Sequence, residues 1–209
     1  LRYFRDPSGN LIELYCDSGY EDIKNLALGP RQGGVPLPLA ALNYRWSGTI
    51  ADSNLARPRL ASFAHLSVPV RDIEQAKRFF VEVMGGEPVA TSDPATFTEV
   101  RVAGAIVGLS TRSGVCTGRG AEYPHYAFYA DGLNFLPMIE WLTHNGVVTP
   151  GPWTRDGQKG LMYFRDPSGN LFEIYCGKDI PQAAQFPRGV KQGGNYATDY
   201  SALFYQWRG

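Results

Sequence analysis

Residues Leu161 to Cys176 read LMYFRDPSGNLFEIYC, and residues Leu1 to Cys16 read LRYFRDPSGNLIELYC; the two differ at only three of sixteen positions. A repeat of this length decides how the rest of the chain is divided. Within the second copy, Gly160 to Arg165 is rich in apolar and aromatic residues and reads as a strand. Asp166-Pro167-Ser168-Gly169 is a turn: Pro presets φ, Asp bonds back to the chain, and Gly suits the last position. Leu171 to Tyr175 is a second strand. Side chains alternate along a strand, so Leu171, Glu173 and Tyr175 share one face and Phe172 and Ile174 the other. A carboxylate among apolar neighbours is costly unless it is paired, protonated or bound to a cation. Glu173 is therefore either a solvent-facing residue of an ordinary hairpin or a ligand.

The parallel extends outward. Gln32-Gly33-Gly34 matches Gln192-Gly193-Gly194, and Asn43 to Gly48 resembles Phe204 to Gly209. Residues 1–48 are expected to be the tail of a preceding repeat unit, and polar residues 49–61 a linker. Residues 62–209 are expected to form one domain with modules at 62–111 and 124–176 and a C-terminal extension at 177–209. The extension carries an amphipathic pattern at Tyr200, Leu203, Phe204 and Trp207. It is expected to pack on its own domain, or to serve as a lid or a dimer contact.

Each module spells the same order. Ser62 to Val68 alternates as a strand, Asp72 with Gln75 opens a helix, and Gly85-Gly86 stops it. Glu87 to Ala90, Phe97 to Val102 and Ala105 to Ser110 follow as strands, the last two joined at Ala103-Gly104. In the second module Pro124 to Tyr129 is a strand and Asp131 to Leu142 a helix. A short strand at Val147 breaks at Pro150-Gly151-Pro152, and the hairpin quoted above closes the unit. The fold class is α+β: paired βαβββ modules forming a curved mixed sheet cup with helices outside.

Composition narrows the function. Twenty basic and twenty acidic residues balance, which favours neither nucleic acid nor an anionic membrane as partner. There is no long apolar run and no secretory pattern at the start. Three cysteines without close spacing argue against a disulfide framework or a cysteine zinc site, and a reducing cytoplasm is expected.

The chain has three histidines. His65 and His125 hold the same place in the opening strands of the two modules, and Glu173 lies in the closing strand of the second. Two imidazoles and one carboxylate on one side of a divalent metal leave open positions opposite, the non-haem Fe(II) arrangement. His144, at a helix end beside Asn145-Gly146, is assigned no chemistry.

Paired βαβββ modules with His65, His125 and Glu173 after Asp-Pro-Ser-Gly-Asn-Leu-Phe resemble the vicinal-oxygen-chelate superfamily. That group includes glyoxalase I, the bleomycin and fosfomycin resistance proteins, methylmalonyl-CoA epimerase and the extradiol dioxygenases. The resemblance implies that His65, His125 and Glu173 are metal ligands. Glyoxalase-type sites draw a fourth ligand from the other module's closing strand, but Ala105 to Leu109 offers none. Met162 to Glu173 fits the extradiol pattern, in which Tyr163 hydrogen-bonds the metal-bound phenolate. The histidine that those dioxygenases carry shortly before this tyrosine is absent from Trp153 to Lys159.

The reading that follows is an extradiol-type ring-cleaving dioxygenase with Fe(II), or Mn(II) in its place, acting on a small aromatic diol and O₂ within a homo-oligomer. The alternatives are another metalloenzyme of the superfamily, of glyoxalase, epimerase or thiol transferase type, or a non-catalytic binding protein. Glu13 and Tyr3 repeat Glu173 and Tyr163, but no histidine accompanies them, and no metal is expected there. Whether paired modules come from one chain or are exchanged between two is left open by spacing.

Overall fold

The computed structural model describes residues 2–5, 10–14, 64–89, 91, 94–111 and 125–203. They fall in two units, Leu1–Ser62 and Phe63–Gly209. In the first unit, β1 (Arg2–Arg5) and β2 (Leu11–Leu14) form an antiparallel hairpin that pairs Tyr3 with Glu13. The linker, Cys16, Cys116 and the aromatic residues beyond Leu203 lie outside the described residues.

The second unit opens with β3 (His65–Pro69) and α1 (Ile73–Arg78), which Asp72 caps by accepting from the Gln75 N–H at 2.9 Å. The helix widens into a π-turn at Phe79–Val83, with Met84 N–H donating to Phe79 O. β4 (Glu87–Val89), β5 (Phe97–Val102) and β6 (Ala105–Ser110) complete the module. The sheet order is β3-β6-β5-β4, with β3 parallel to β6 and the remaining pairs antiparallel. The βαβββ order read for this module is therefore present.

The second module repeats it with one strand fewer. β7 (Tyr126–Tyr129), α2 (Phe135–His144), β8 (Gly160–Arg165) and β9 (Leu171–Cys176) give a sheet of order β7-β9-β8. The strand expected at Val147 is reduced to a lone bridge residue ahead of Pro150 and Pro152, which lack the N–H a ladder needs, and Trp153 beyond them bridges Leu161 of β8. Asp131 does not itself start α2. Its carboxylate accepts from the N–H groups of Leu133 and Asn134 in the turn before it, and Asn134 is the residue at the cap. The unit is thus α+β with mixed sheets. Among the described residues, no helix is long and apolar enough to cross a membrane.

One core serves both modules. Phe79 and Phe80, at the end of the first helix, meet Phe164 and Phe172 of β8 and β9 at ring separations of 6.3 and 5.5 Å. Phe172 and Ile174 are buried on this side, as alternation requires, which sends Leu171, Glu173 and Tyr175 to the opposite face.

The turn between β8 and β9 is a buried polar hub. Asp166 is fully buried, and its Oδ1 accepts from the Ser168 and Asn170 N–H groups at 2.9 and 2.8 Å. Asn170 Nδ2 donates to Asp166 Oδ2 and to Pro69 O, both at 2.8 Å, and Ser168 Oγ accepts from Arg71 N–H at 3.0 Å. Gly169, at φ +92°, makes the reversal that lets both arms close. The motif that reads as a turn in sequence therefore also ties the hairpin bearing Glu173 to the end of the strand bearing His65.

Two measurements check this hub. Asn170→Ala leaves Pro69 O and Asp166 Oδ2 without their donor, and should cost about 2–6 kcal/mol in urea unfolding, at roughly 1–3 kcal/mol per orphaned group. Burial pushes the Asp166 carboxyl up to about 6, against the pull of the hydrogen bonds from Asn170, Ser168 and Gly169. A carboxyl whose folded value exceeds its unfolded 3.8 adds stability below pH 3.8 and loses that contribution as pH rises through 6. Unfolding free energy should therefore carry a downward slope between pH 4 and 7, and Asp166→Asn should flatten it.

Candidate metal centre

β7 and β9 run parallel, with Ala127 opposite Glu173, and β8 sets Tyr163 opposite Glu173 on the other side. His125 precedes β7 by one residue and so shares the face of Ala127. Its Nε2 lies 3.4 Å from Glu173 Oε2, and the Glu173 side chain is only 6% exposed. Tyr163 is fully buried, with its ring edge-on to the His125 ring at 5.3 Å. Tyr163 thus packs behind the imidazole of the pair.

A cavity of about 300 Å³ opens beside Glu173, lined also by Ala127, Arg155, Lys159, Leu161 and Tyr175. The Arg155 guanidinium stands 5.7 Å from the centre of the Trp153 ring, and Lys159 Nζ is 3.5 Å from Asp156. Hydrogen bonds from the Gln158 and Lys159 N–H groups, then the nearby Lys159 charge, hold the Asp156 carboxyl below its ordinary range. Arg155 and Lys159 were not singled out from sequence. Two cations four residues apart in a loop look like ordinary surface charge until β8 brings that loop to Glu173.

His65 begins β3, where His65 pairs with Ile106 and Ser67 with Gly108 of β6. Superposing His65 on His125 puts Ser67 at Ala127 and Gly108 at Glu173. The first module therefore has glycine where the second has the carboxylate. A Cβ on Gly108 would meet Ser67 Oγ at 2.8 Å and the Phe97 ring at 3.1 Å, so the place is filled by neighbours. This is the structural form of the missing fourth ligand. Of the three residues selected from sequence, His125 and Glu173 are brought together. Among the described residues, no group of three or more His, Cys, Asp and Glu is placed to hold a metal, so His65 does not join them within one chain. His144 lies at the end of α2, its ring 6.4 Å from that of Trp141.

Residues 62–174 match the family model of the Glyoxalase/Bleomycin resistance protein/Dioxygenase superfamily. The chain belongs to this superfamily. Similar curated members include a metallothiol transferase FosB from Staphylococcus saprophyticus, 26% identical over 56% of this chain and 78% of its own length. A glutathione transferase FosA from Serratia marcescens is 24% identical over 56% of this chain and 82% of its own length. Among solved structures, the fosfomycin resistance protein FosX of Listeria monocytogenes, complexed with Mn(II) and sulfate, aligns with TM-score 0.50 and 20% identity. That alignment covers 60% of this chain and 96% of FosX and supports the shared fold.

These relatives overturn the ring-cleavage reading. They are named as thiol transferases and a fosfomycin resistance protein, not as dioxygenases, and the metal with FosX is Mn(II), so Fe(II) has no specific support. Aromatic diol and O₂ as substrates fall with that reading. The pattern from Met162 to Glu173 misled because most of it is the polar hub and its flanking strands, which the fold needs whatever the reaction. The histidine missing from Trp153 to Lys159 was the signal that pointed away from ring cleavage.

The donor set fits a divalent metal. One imidazole nitrogen and one carboxylate oxygen converge at 3.4 Å, the carboxylate lining the cavity, and an N/O set of this kind suits Mn(II), Fe(II) or Zn(II). Glu173→Ala and His125→Ala should each weaken Mn(II) binding by at least about tenfold, or about 1.4 kcal/mol, in calorimetric titration. Affinity unchanged in either variant would remove that residue from the centre.

Proposed function

We propose that the chain is a metal-dependent enzyme of the fosfomycin-modifying kind, which adds a nucleophile to a small anionic, oxygen-bearing substrate. The observation that carries this is the His125–Glu173 pair beside a cavity that Glu173, Arg155 and Lys159 line. His125 and Glu173 would hold the metal, and His65 of a second copy would complete the set. Exchange of modules between two copies accounts for a triad that one chain leaves incomplete, and would close the sheets of two copies into the expected cup.

A divalent metal held there would act as a Lewis acid toward a substrate oxygen. The protein's own groups do the rest. Arg155 and Lys159 draw an anionic group such as a phosphonate or carboxylate to the cavity. Trp153 shares the Arg155 charge through its ring face. Tyr163 keeps the imbedded edge of the His125 imidazole from turning, so that Nε2 stays aimed at Glu173. Leu161 and Ala127 limit the water around the substrate.

The test is Mn(II)-dependent loss of fosfomycin, followed by phosphorus NMR. Wild type should consume the compound, while His65→Ala and Glu173→Ala should each lose activity. A mixture of these two variants should regain part of it, because an exchanged dimer rebuilds one intact site. No consumption by wild type would contradict the reaction, and no recovery in the mixture would contradict the exchange.

A further inference from the structure

The three positions at which the two hairpin sequences differ all belong to one face. In β8 and β9, Met162, Phe164, Phe172, Ile174 and Cys176 are buried in the core that both modules share. Leu161, Tyr163, Arg165, Leu171, Glu173 and Tyr175 alternate with them and belong to the opposite face. The first hairpin repeats every residue of that opposite face, as Leu1, Tyr3, Arg5, Leu11, Glu13 and Tyr15. It also repeats the turn, from Asp6 to Asn10. Its changes are Arg2 for Met162, Ile12 for Phe172 and Leu14 for Ile174. The register is the same in both: Arg2 pairs with Leu14 and Phe4 with Ile12, as Met162 pairs with Ile174 and Phe164 with Phe172.

Such likeness carries a hazard. Phe4, Ile12 and Leu14 are 41, 40 and 45% exposed, so the face that would enter a core is open. A two-stranded hairpin is marginally stable by itself and gains from any sheet or helix that covers it. The place held by β8–β9 would accept the first hairpin's turn, because Asn10 and Ser8 supply the same groups that bond Pro69 O and Arg71 N–H through Asn170 and Ser168. A first hairpin seated there on another copy would displace that copy's β8–β9 and join the copies head to tail, a contact that does not close on itself.

We infer that the core face of the first hairpin is a specificity surface: Arg2, supported by Ile12, bars it from the Phe79–Phe80 surface that holds β8–β9, and so keeps the two near-identical hairpins from exchanging between copies. Met162 is fully buried in the apolar core, and an arginine in its place would put a guanidinium where water cannot follow. Phe172 lies 5.5 to 5.8 Å from the rings of Phe80, Tyr126, Phe128 and Phe164, and isoleucine in its place would leave part of that space empty. Leucine for Ile174 conserves volume and contributes least. The exclusion acts on the face that meets the core, which leaves the Tyr3–Glu13 rung of the other face unchanged. It holds whatever the reaction.

Four full-length chains are compared by size exclusion with light scattering: wild type, Arg2→Met, Ile12→Phe/Leu14→Ile, and the triple variant, whose two hairpins are identical. Each is first checked for a native circular dichroism spectrum, then incubated just below its melting temperature, because exchange requires β8–β9 to open. Wild type and the double variant that keeps Arg2 should hold one mass. The triple variant should form a ladder of whole multiples of that mass, at least about tenfold more abundant than in wild type, with Arg2→Met between. No ladder in the triple variant overturns the inference, as does an equal ladder in wild type or in the variant that keeps Arg2. A second arm uses the metal centre to show which hairpin is seated. Mn(II) binding lost in Glu173→Ala should return when the triple change is added, because Glu13 then stands beside His125, and Glu13→Ala should abolish it again. A ladder without that return is adhesion of exposed faces and overturns the inference. Wild type that binds no Mn(II) overturns the metal reading instead, and the ladder then decides the role of Arg2.

Discussion

The carboxamide of Asn170 joins two parts of the chain about a hundred residues apart, bonding Asp166 on its own hairpin and the Pro69 carbonyl at the end of β3. An unpaired amide in this position would cost more than most single contacts contribute. Backing this bond are Arg71 N–H on Ser168 Oγ and the Phe79 and Phe80 rings on Phe164 and Phe172. With the turn fixed, β9 cannot slip relative to β7 without breaking the hub, and a slip of one residue would carry Glu173 into the apolar core. The 3.4 Å approach of Glu173 to His125 is a consequence of that register.

The two sides of the second sheet then divide the labour. One side is a dry layer of Phe172, Ile174, Met162 and Phe164 against both helical segments. The other holds the His125–Glu173 pair, a cavity bordered by Arg155 and Lys159, and an aromatic cluster supplied in part by the C-terminal extension. Tyr163 belongs to this second side although it is fully buried, because Trp153, Tyr200 and Leu203 cover it. Stability and chemistry therefore meet in one strand pair, so substitutions at Phe172 and Glu173, adjacent in sequence, should have different consequences.

Much of this architecture was legible in the sequence because it rests on local rules. Alternation placed Glu173 and Phe172 on opposite faces, Asp72 capped its helix, and β5, β6 and β8 lie where their patterns put them. The duplicated hairpin announced the modular order. What the sequence hid was long-range. Nothing local says that Asn170 bonds Pro69, that Arg155 and Lys159 come to border Glu173, or that Tyr200 covers Tyr163. The reaction was hidden for a related reason: the conspicuous motif around Asp166 belongs to the fold, and the residues that choose a substrate lie in loops with no pattern of their own.

The central claim is that His125 and Glu173 of one copy and His65 of another enclose a single divalent ion. Pulsed electron paramagnetic resonance on the Mn(II)-loaded protein counts the imidazole nitrogens coupled to the metal. Two coupled imidazoles in wild type, falling to one in both His65→Ala and His125→Ala, is the predicted result. One imidazole in wild type, with no change on removing His65, would contradict the account.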